Sequence, residues 1–274
     1  MTTTIINDYK LIKKIGAGAY GQVWKGRHVI TQKEVAIKLE KKNIRKMLKY
    51  ETIILRHLSN IKNVVNIKYY GEMNNYNYLI MELLNQPIHI FYNRLMREND
   101  SENTTIKRFG LQMLQCIKSI HGMGIIHRDI KPSNFLLNTT NKTLLLIDFG
   151  LAKQYISRDG IHKPNVYTIK ICGTVRYIST HVHDRNEPSR RDDIISMVYV
   201  IIFLMNRTLP WQDVIYITKM EKCQMIYDIK KIVTHEELCN LLPDKLKNIL
   251  DYSYGLEYIE TPDYDYIEFL LKTL

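Results

Sequence analysis

The sequence predicts an α+β chain of two lobes: a small antiparallel sheet with one helix, then a larger and mainly helical part. Three observations carry this expectation. Gln22-Val23-Trp24-Lys25-Gly26 alternates with the two-residue period of a strand, and Val35-Ala36-Ile37-Lys38 makes another. Residues 44–58 set Ile44, Met47, Leu48, Ile54, Leu55 and Leu58 at helical spacing. Further on, the periodic segments are helical. Thr105–Ile120 has apolar residues at 106, 109, 113, 114, 117 and 120, and Ile194–Met205 is the longest apolar run.

The elements follow in chain order. Gly16-Ala17-Gly18-Ala19-Tyr20-Gly21 is a G-x-G-x-x-G loop, a spacing that dinucleotide sites share. A dinucleotide site needs a helix after the glycines, whereas strands follow here. Glycines let a backbone close over phosphates with no Cβ in the way. Lys38 ends the next strand, within reach of such phosphates. Glu51 lies in the following helix and is the candidate partner for Lys38; the plainer alternative is a solvated helix charge. Glu40 is the nearest rival but sits too close along the strand. The helix over 105–120 stops at the glycines at 122 and 124. Short strands at Phe135–Leu137 and Leu144–Ile147 follow and deliver Asp148. The run from Ile194, after Arg190-Arg191-Asp192-Asp193, reads as the buried central helix of the large lobe.

The chemistry concentrates at His127-Arg128-Asp129-Ile130-Lys131-Pro132-Ser133-Asn134 and Asp148-Phe149-Gly150. Together they supply a candidate base (Asp129), a cation (Lys131) and two oxygen ligands for Mg²⁺ (Asn134, Asp148). Phosphoryl transfer from ATP needs those groups, because its catalysis is mostly positioning and charge neutralisation. His-Arg-Asp alone occurs by chance. With Lys two on, Asn five on and Asp-Phe-Gly beyond, the pattern matches the protein-kinase signature.

On these residues the chain resembles a serine/threonine protein kinase, and closely the casein kinase 1 family, from Tyr9 to about Tyr266. Lys14-Ile15-Gly16, Val35–Glu40, Met81-Glu82-Leu83-Leu84, Ile147–Lys153, Gly173-Thr174-Val175-Arg176-Tyr177, Ser189–Asp193 and Leu209-Pro210-Trp211-Gln212 carry the resemblance. Where most kinases have Ala-Pro-Glu, Ile178-Ser179-Thr180 and His183 stand instead. The resemblance implies ATP and Mg²⁺ as cofactors. It implies one domain over 9–274, with a small lobe at 9–83, a hinge at 82–87 and a large lobe at 88–274. It implies a nucleotide pocket of Ile15, Gly16, Ala17, Gly18, Ala19, Tyr20, Gly21, Val23, Ala36, Lys38, Met81, Glu82, Leu84 and Leu136. For the apolar members, core packing is an overlapping reading.

Lys131 and Thr174 are expected to orient Asp129 and the acceptor hydroxyl. Arg128 pairs with a phosphorylated loop in many kinases, while casein kinase 1 relatives are constitutively active; Ser157, Tyr167 and Thr168 lie in the loop here. Arg176, Lys219 and Lys222 match positions where these relatives hold an anion upstream of the target Ser. Arg suits phosphate through its fixed fork of donors. Asp213 stands where the family has Gly and is expected to weaken that site. Val198 replaces a Gly in the central helix, a packing change expected to be tolerated.

The net charge of +11 over 274 residues allows nucleic acid, anionic membranes or acidic substrates as partners. The lysines are spread along the chain with no aromatic-basic motif, which disfavours nucleic acid. The apolar run at 194–205 is too short to span a bilayer. Cysteines 116, 172, 223 and 239 have no metal-like spacing and are expected reduced. With no signal peptide, the expectation is an intracellular monomer, cytoplasmic or nuclear, acting on Ser/Thr of protein substrates with no membrane partner. The chain ends at Leu274, and no regulatory tail is expected. The alternatives are a pseudokinase-like binding scaffold, a nucleic-acid-binding protein on the same fold, or a small-molecule kinase. The retained Gly16, Gly18, Lys38, Asp129, Asn134 and Asp148 argue against the first, and Lys131 with Gly173-Thr174 against the last.

Overall fold

A computed structural model describes residues 4–18, 21–42, 47–98, 101–138 and 143–274. Ala19, Tyr20 and Ile44, all used above, lie outside the described residues. In chain order the elements are β1 (Ile5–Ile6), β2 (Tyr9–Gly18), β3 (Gly21–His28), β4 (Glu34–Lys41), α1 (Met47–His57), β5 (Ile67–Met73), β6 (Tyr76–Glu82), α2 (Ile88–Arg97), α3 (Glu102–Gly122) and β7 (Ile125–Ile126). Then come β8 (Phe135–Asn138), β9 (Thr143–Leu146), β10 (Lys153–Gln154), α4 (Thr180–His183), α5 (Arg190–Asn206), α6 (Lys219–Ile232), α7 (His235–Leu238), α8 (Asp244–Gly255) and α9 (Tyr264–Lys272). They form two compact units. One is the described part of Met1–Asn85 with that of Leu136–Gly150; the other is that of Gln86–Phe135 with Leu151–Leu274.

The first unit is built on a six-stranded sheet in the order β1-β2-β3-β4-β6-β5, antiparallel at every pairing. Strand alternation divides its residues between two faces. Val35 and Ile37 pack with Ile6, Tyr78 and Ile80 on one. The register pairs Val23 with Lys38 and Ala36 with Met81, so these four share the other face. Glu40 does not compete for Lys38. Its carboxylate accepts the N–H groups of Met47 and Leu48 at 3.1 and 3.2 Å, capping the start of α1. Leu48, Ile54 and Leu55 are the buried stripe of that helix. The β8–β9 pair joins this unit through β9, where Leu146 donates to Asn63 O and accepts from Val65 N.

The second unit is helical. Ser101 caps α3, extending it upstream of the predicted 105–120. Gly124, at φ +75°, turns the chain after its end. The predicted apolar run is the body of α5, and Val198 is fully buried in it. A Ser189–Asp192 capping box starts this helix earlier, so its first turn is charged and buried. Each charge there has a partner: Arg190 donates to Thr261 Oγ1 and Ile259 O, Arg191 to Leu256 O, and Asp192 accepts from Ser179 Oγ. No helix among the described residues is long and apolar enough to cross a membrane.

Candidate active site

In the first unit three charged side chains meet. Lys38 Nζ lies 2.7 Å from Glu51 Oε2 and 2.8 Å from Asp148 Oδ1. Strand β4 turns Lys38 onto the Val23 face, and α1 sets Glu51 inward, 3% exposed at its side chain. Burial alone would push the Lys38 ammonium down; the two carboxylates outweigh it and hold the amine protonated well above its ordinary range. Burial pushes the Glu51 carboxyl up, and the charge of Lys38 opposes this. Asp148 has φ +65°, a costly conformation for a residue with a Cβ. Its bond to Lys38 spans 110 residues and was not predicted; the sequence assigned Asp148 to metal alone.

The glycine loop divides in two by steric demand. A Cβ on Gly21 would fall 2.1 Å from Leu39 O, so packing itself requires glycine there. At Gly16 and Gly18 a Cβ would meet nothing closer than 3.6 Å. The chain does not need those two bare, which fits a cradle for a ligand's phosphates. The hinge stretch is fastened to β8: Asn85 N–H donates to Leu137 O, and Asn138 to the Glu82 carboxylate. Leu84 and Leu136 are half-buried beside these contacts, and Ile15 is 44% exposed.

In the second unit both carboxylate oxygens of Asp129 are held. One carboxylate oxygen accepts from Lys131 Nζ at 2.6 Å and the other from Thr174 Oγ1 at 2.6 Å. Lys131 Nζ is also 3.4 Å from Thr174 Oγ1. Asn134 Nδ2 donates to the Asp129 main-chain carbonyl at 2.9 Å, which commits the nitrogen and leaves its amide oxygen as the ligand end. Gly173, at φ +101°, lets the Thr174 segment press against the loop; a Cβ there would lie 2.5 Å from Arg128 O.

Several residues hold this loop whose roles sequence reasoning did not supply. Asp193, on α5, accepts the N–H groups of His127 (2.7 Å) and Arg128 (2.9 Å), and His121 Nε2 contacts it at 3.0 Å. Burial would raise its carboxyl; His121 and the amide outweigh that and leave it below the usual range. Arg128, at φ +66°, donates to Leu151 O and to Glu187 Oε1, and Lys153 pairs with Oε2 of Glu187 at 3.1 Å. The only sequence signal was the charged run at 189–193, which gave no partner.

Arg176, Lys219 and Lys222 line one groove of about 710 Å³ together with Lys131 and Thr174. Trp211 Nε1 fixes the Arg176 carbonyl at 2.8 Å. The buried Lys230 donates to the carbonyls of Val175 and Ile178 on either side. Gln212 and Tyr216 also line the groove, the latter accepting from Lys222 Nζ at 3.1 Å. Among the described residues no carboxylate lines it. Asp213, expected to weaken an anion there, is exposed and outside the lining.

A family model described as Protein kinase domain matches residues 9–257. The chain therefore belongs to the protein kinase family, with its two-lobed fold. It is similar to Casein kinase I homolog 3 of Schizosaccharomyces pombe, with 33% identity over 272 residues. That match covers 97% of this chain and 62% of the relative, so the chain spans less than two thirds of that relative's length.

Proposed function

We propose that the chain transfers the γ-phosphoryl group of ATP to Ser and Thr hydroxyls of protein substrates, preferring sites with an acidic or phosphorylated residue upstream. The observation that carries this reading is the three-point grip on Asp129 by Lys131, Thr174 and Asn134. A carboxylate so held is aimed, and a general base in phosphoryl transfer is chiefly a positioning group. Asp129 takes the proton of the acceptor hydroxyl, and Lys131 and Thr174 keep its oxygens in line. Lys38, fixed by Glu51, offers its ammonium to the α- and β-phosphates, with the bare Gly16 and Gly18 allowing close backbone approach. The Val23, Ala36 and Met81 face supplies the apolar contacts for the base, with Ile15, Leu84 and Leu136.

The donor set also fits Mg²⁺, a hard cation that takes carboxylate and amide oxygens. Asp148 and Asn134 are its proposed ligands, and the ion supplies charge neutralisation at the phosphates when bound. Arg176, Lys219 and Lys222 hold the upstream anion. We take residues 9–274 as one catalytic domain, with 82–87 as its hinge.

The test is transfer from labelled ATP to casein and to paired phosphorylated and unphosphorylated peptides, with Asp129→Asn alongside. Phosphoserine or phosphothreonine formed only by the unsubstituted chain is the expected result. No transfer above the Asp129→Asn background, with ATP still bound, would hand the assignment to the scaffold reading.

A further inference from the structure

The strip from Ile215 to Met220 holds three large apolar side chains out in solvent. Ile215 is 91% exposed, Ile217 92% and Met220 83%. Single exposed apolar residues are ordinary; three within six residues make a patch. The backbone beneath them is tied down. The Glu221 carboxylate accepts the N–H groups of Ile217 (3.0 Å) and Thr218 (2.8 Å), and Thr218 Oγ1 accepts that of Glu221. This capping box opens α6 and presents the strip on a fixed frame.

Groove residues are interleaved with the patch. Tyr216, Lys219 and Lys222 line the groove that also contains Lys131 and Thr174. Lys219 stands at the first position of α6, where the helix dipole disfavours a cation. A positive groove edge and an apolar strip therefore alternate along one segment. In sequence the strip alternates with the groove residues Tyr216, Lys219 and Lys222.

We propose that Ile215, Ile217 and Met220 form a second specificity element, taking a bulky apolar side chain of the substrate that lies beyond its upstream anion. The inference rests on the substrate reading above for the anion but concerns a different part of the polypeptide. Continuity with the groove commits the occupant to the substrate chain. An extended peptide fills a concave groove and the strip beside it, whereas the flat surface of a bilayer meets only the strip.

The experiment uses four peptides with one acceptor Ser. They carry phosphoserine or Ala upstream, and Leu-Ile or Asn-Gln beyond it. For the full chain and for the triple variant Ile215→Ser, Ile217→Ser, Met220→Ser, kcat/KM is measured by turnover and Kd by fluorescence anisotropy. All three positions are exposed, and a melting curve checks that the variant folds. The expected result is an apolar-over-polar preference of about tenfold, at the low end of hydrophobic discrimination. It falls towards one in the triple variant, through KM and Kd rather than kcat. A preference near one in the unsubstituted chain, or one the triple variant leaves intact, overturns the proposal. The anion reading fails separately, if phosphoserine and Ala peptides behave alike while the apolar preference persists. Sedimentation with phosphatidylcholine–phosphatidylserine vesicles, lost in the triple variant without any peptide discrimination, assigns the strip to a bilayer and also overturns it.

Discussion

The Arg128 guanidinium lies 2.5 Å from the Glu187 carboxylate, whose other oxygen is 3.1 Å from Lys153. One internal acid thus pairs with both Arg128 and Lys153. In kinases switched on by loop phosphorylation, an arginine in this position waits for a phosphate. Here the chain carries its own counter-charge.

Activity should therefore survive dephosphorylation. Protein treated with a phosphatase and then freed of it is expected to keep its initial rate. Near-complete loss, restored by phosphorylating Ser157, Tyr167 or Thr168, would sink the idea. Glu187→Ala should cost about 2–4 kcal/mol in urea unfolding, because two partly buried cations lose their carboxylate.

Asp129→Asn should lower kcat by roughly 10²–10⁴-fold while nucleotide binding persists, since the proton acceptor is lost and the amide keeps one acceptor oxygen for the two donors Lys131 and Thr174. Asp148→Ala should instead weaken Mg²⁺-dependent nucleotide binding. It also strips Lys38 of one of its two carboxylates. Full activity in either variant contradicts these roles.

Arg176→Ala and Lys222→Ala should each lower kcat/KM on phosphorylated peptides by about one to two decades, the worth of one charge-assisted hydrogen bond to phosphate. A neutral peptide should lose much less. Equal losses on all peptides would make Arg176 structural. Asp213→Gly should give only a small gain, and one that fades with salt, because Asp213 is exposed and outside the groove lining.

Acid should destabilise the second unit through His183. Burial pushes its imidazole from 6.5 down to about 3, with Lys230 and Arg185 adding to the effect. The unfolded chain takes up a proton near pH 6.5 while the folded chain refuses it. Stability is thus full above that pH and falls by roughly 1.4 kcal/mol per unit below it. His183→Phe keeps a ring against Tyr227, where the two stack at 5.2 Å, and removes the proton site. Burial lowers His121 and His181 in the same direction, so the readout is the difference between variant and parent. Parallel stability curves from pH 7 to 5.5 would refute the assignment.

The legible parts of this site are those written in neighbouring residues. Asp129, Lys131 and Asn134 fall within six positions of one signature motif, and the structure bonds Lys131 and Asn134 to Asp129. A strand period placed Lys38 and a helix period placed Glu51, and the rest of the signature suggested their pairing. Contacts between distant charges were not. Glu187 meets Arg128 across 59 residues, and nothing local separates that acid from a surface charge. Glu40 read as a strand charge, although it caps α1. Asp213 follows Trp211 and Gln212 in sequence, yet it is exposed and outside the lining of the groove that Gln212 joins. Ala19 and Tyr20 lie outside the described residues, so the tip of the glycine loop stays an expectation.

The bond from His127 N–H to Asp193 joins positions 66 residues apart. It sets a calendar for the growing polypeptide. A nascent chain that has already emerged through Gly150 owns every motif of the signature, yet the N–H groups of His127 and Arg128 lack their Asp193 acceptor until α5 is made. Such distant contacts form late, after the local helices. Recovery of phosphotransfer on refolding should then trail the return of helical signal and keep pace with the burial of α5, so that enzymatic competence is a stopwatch for the last stage of assembly.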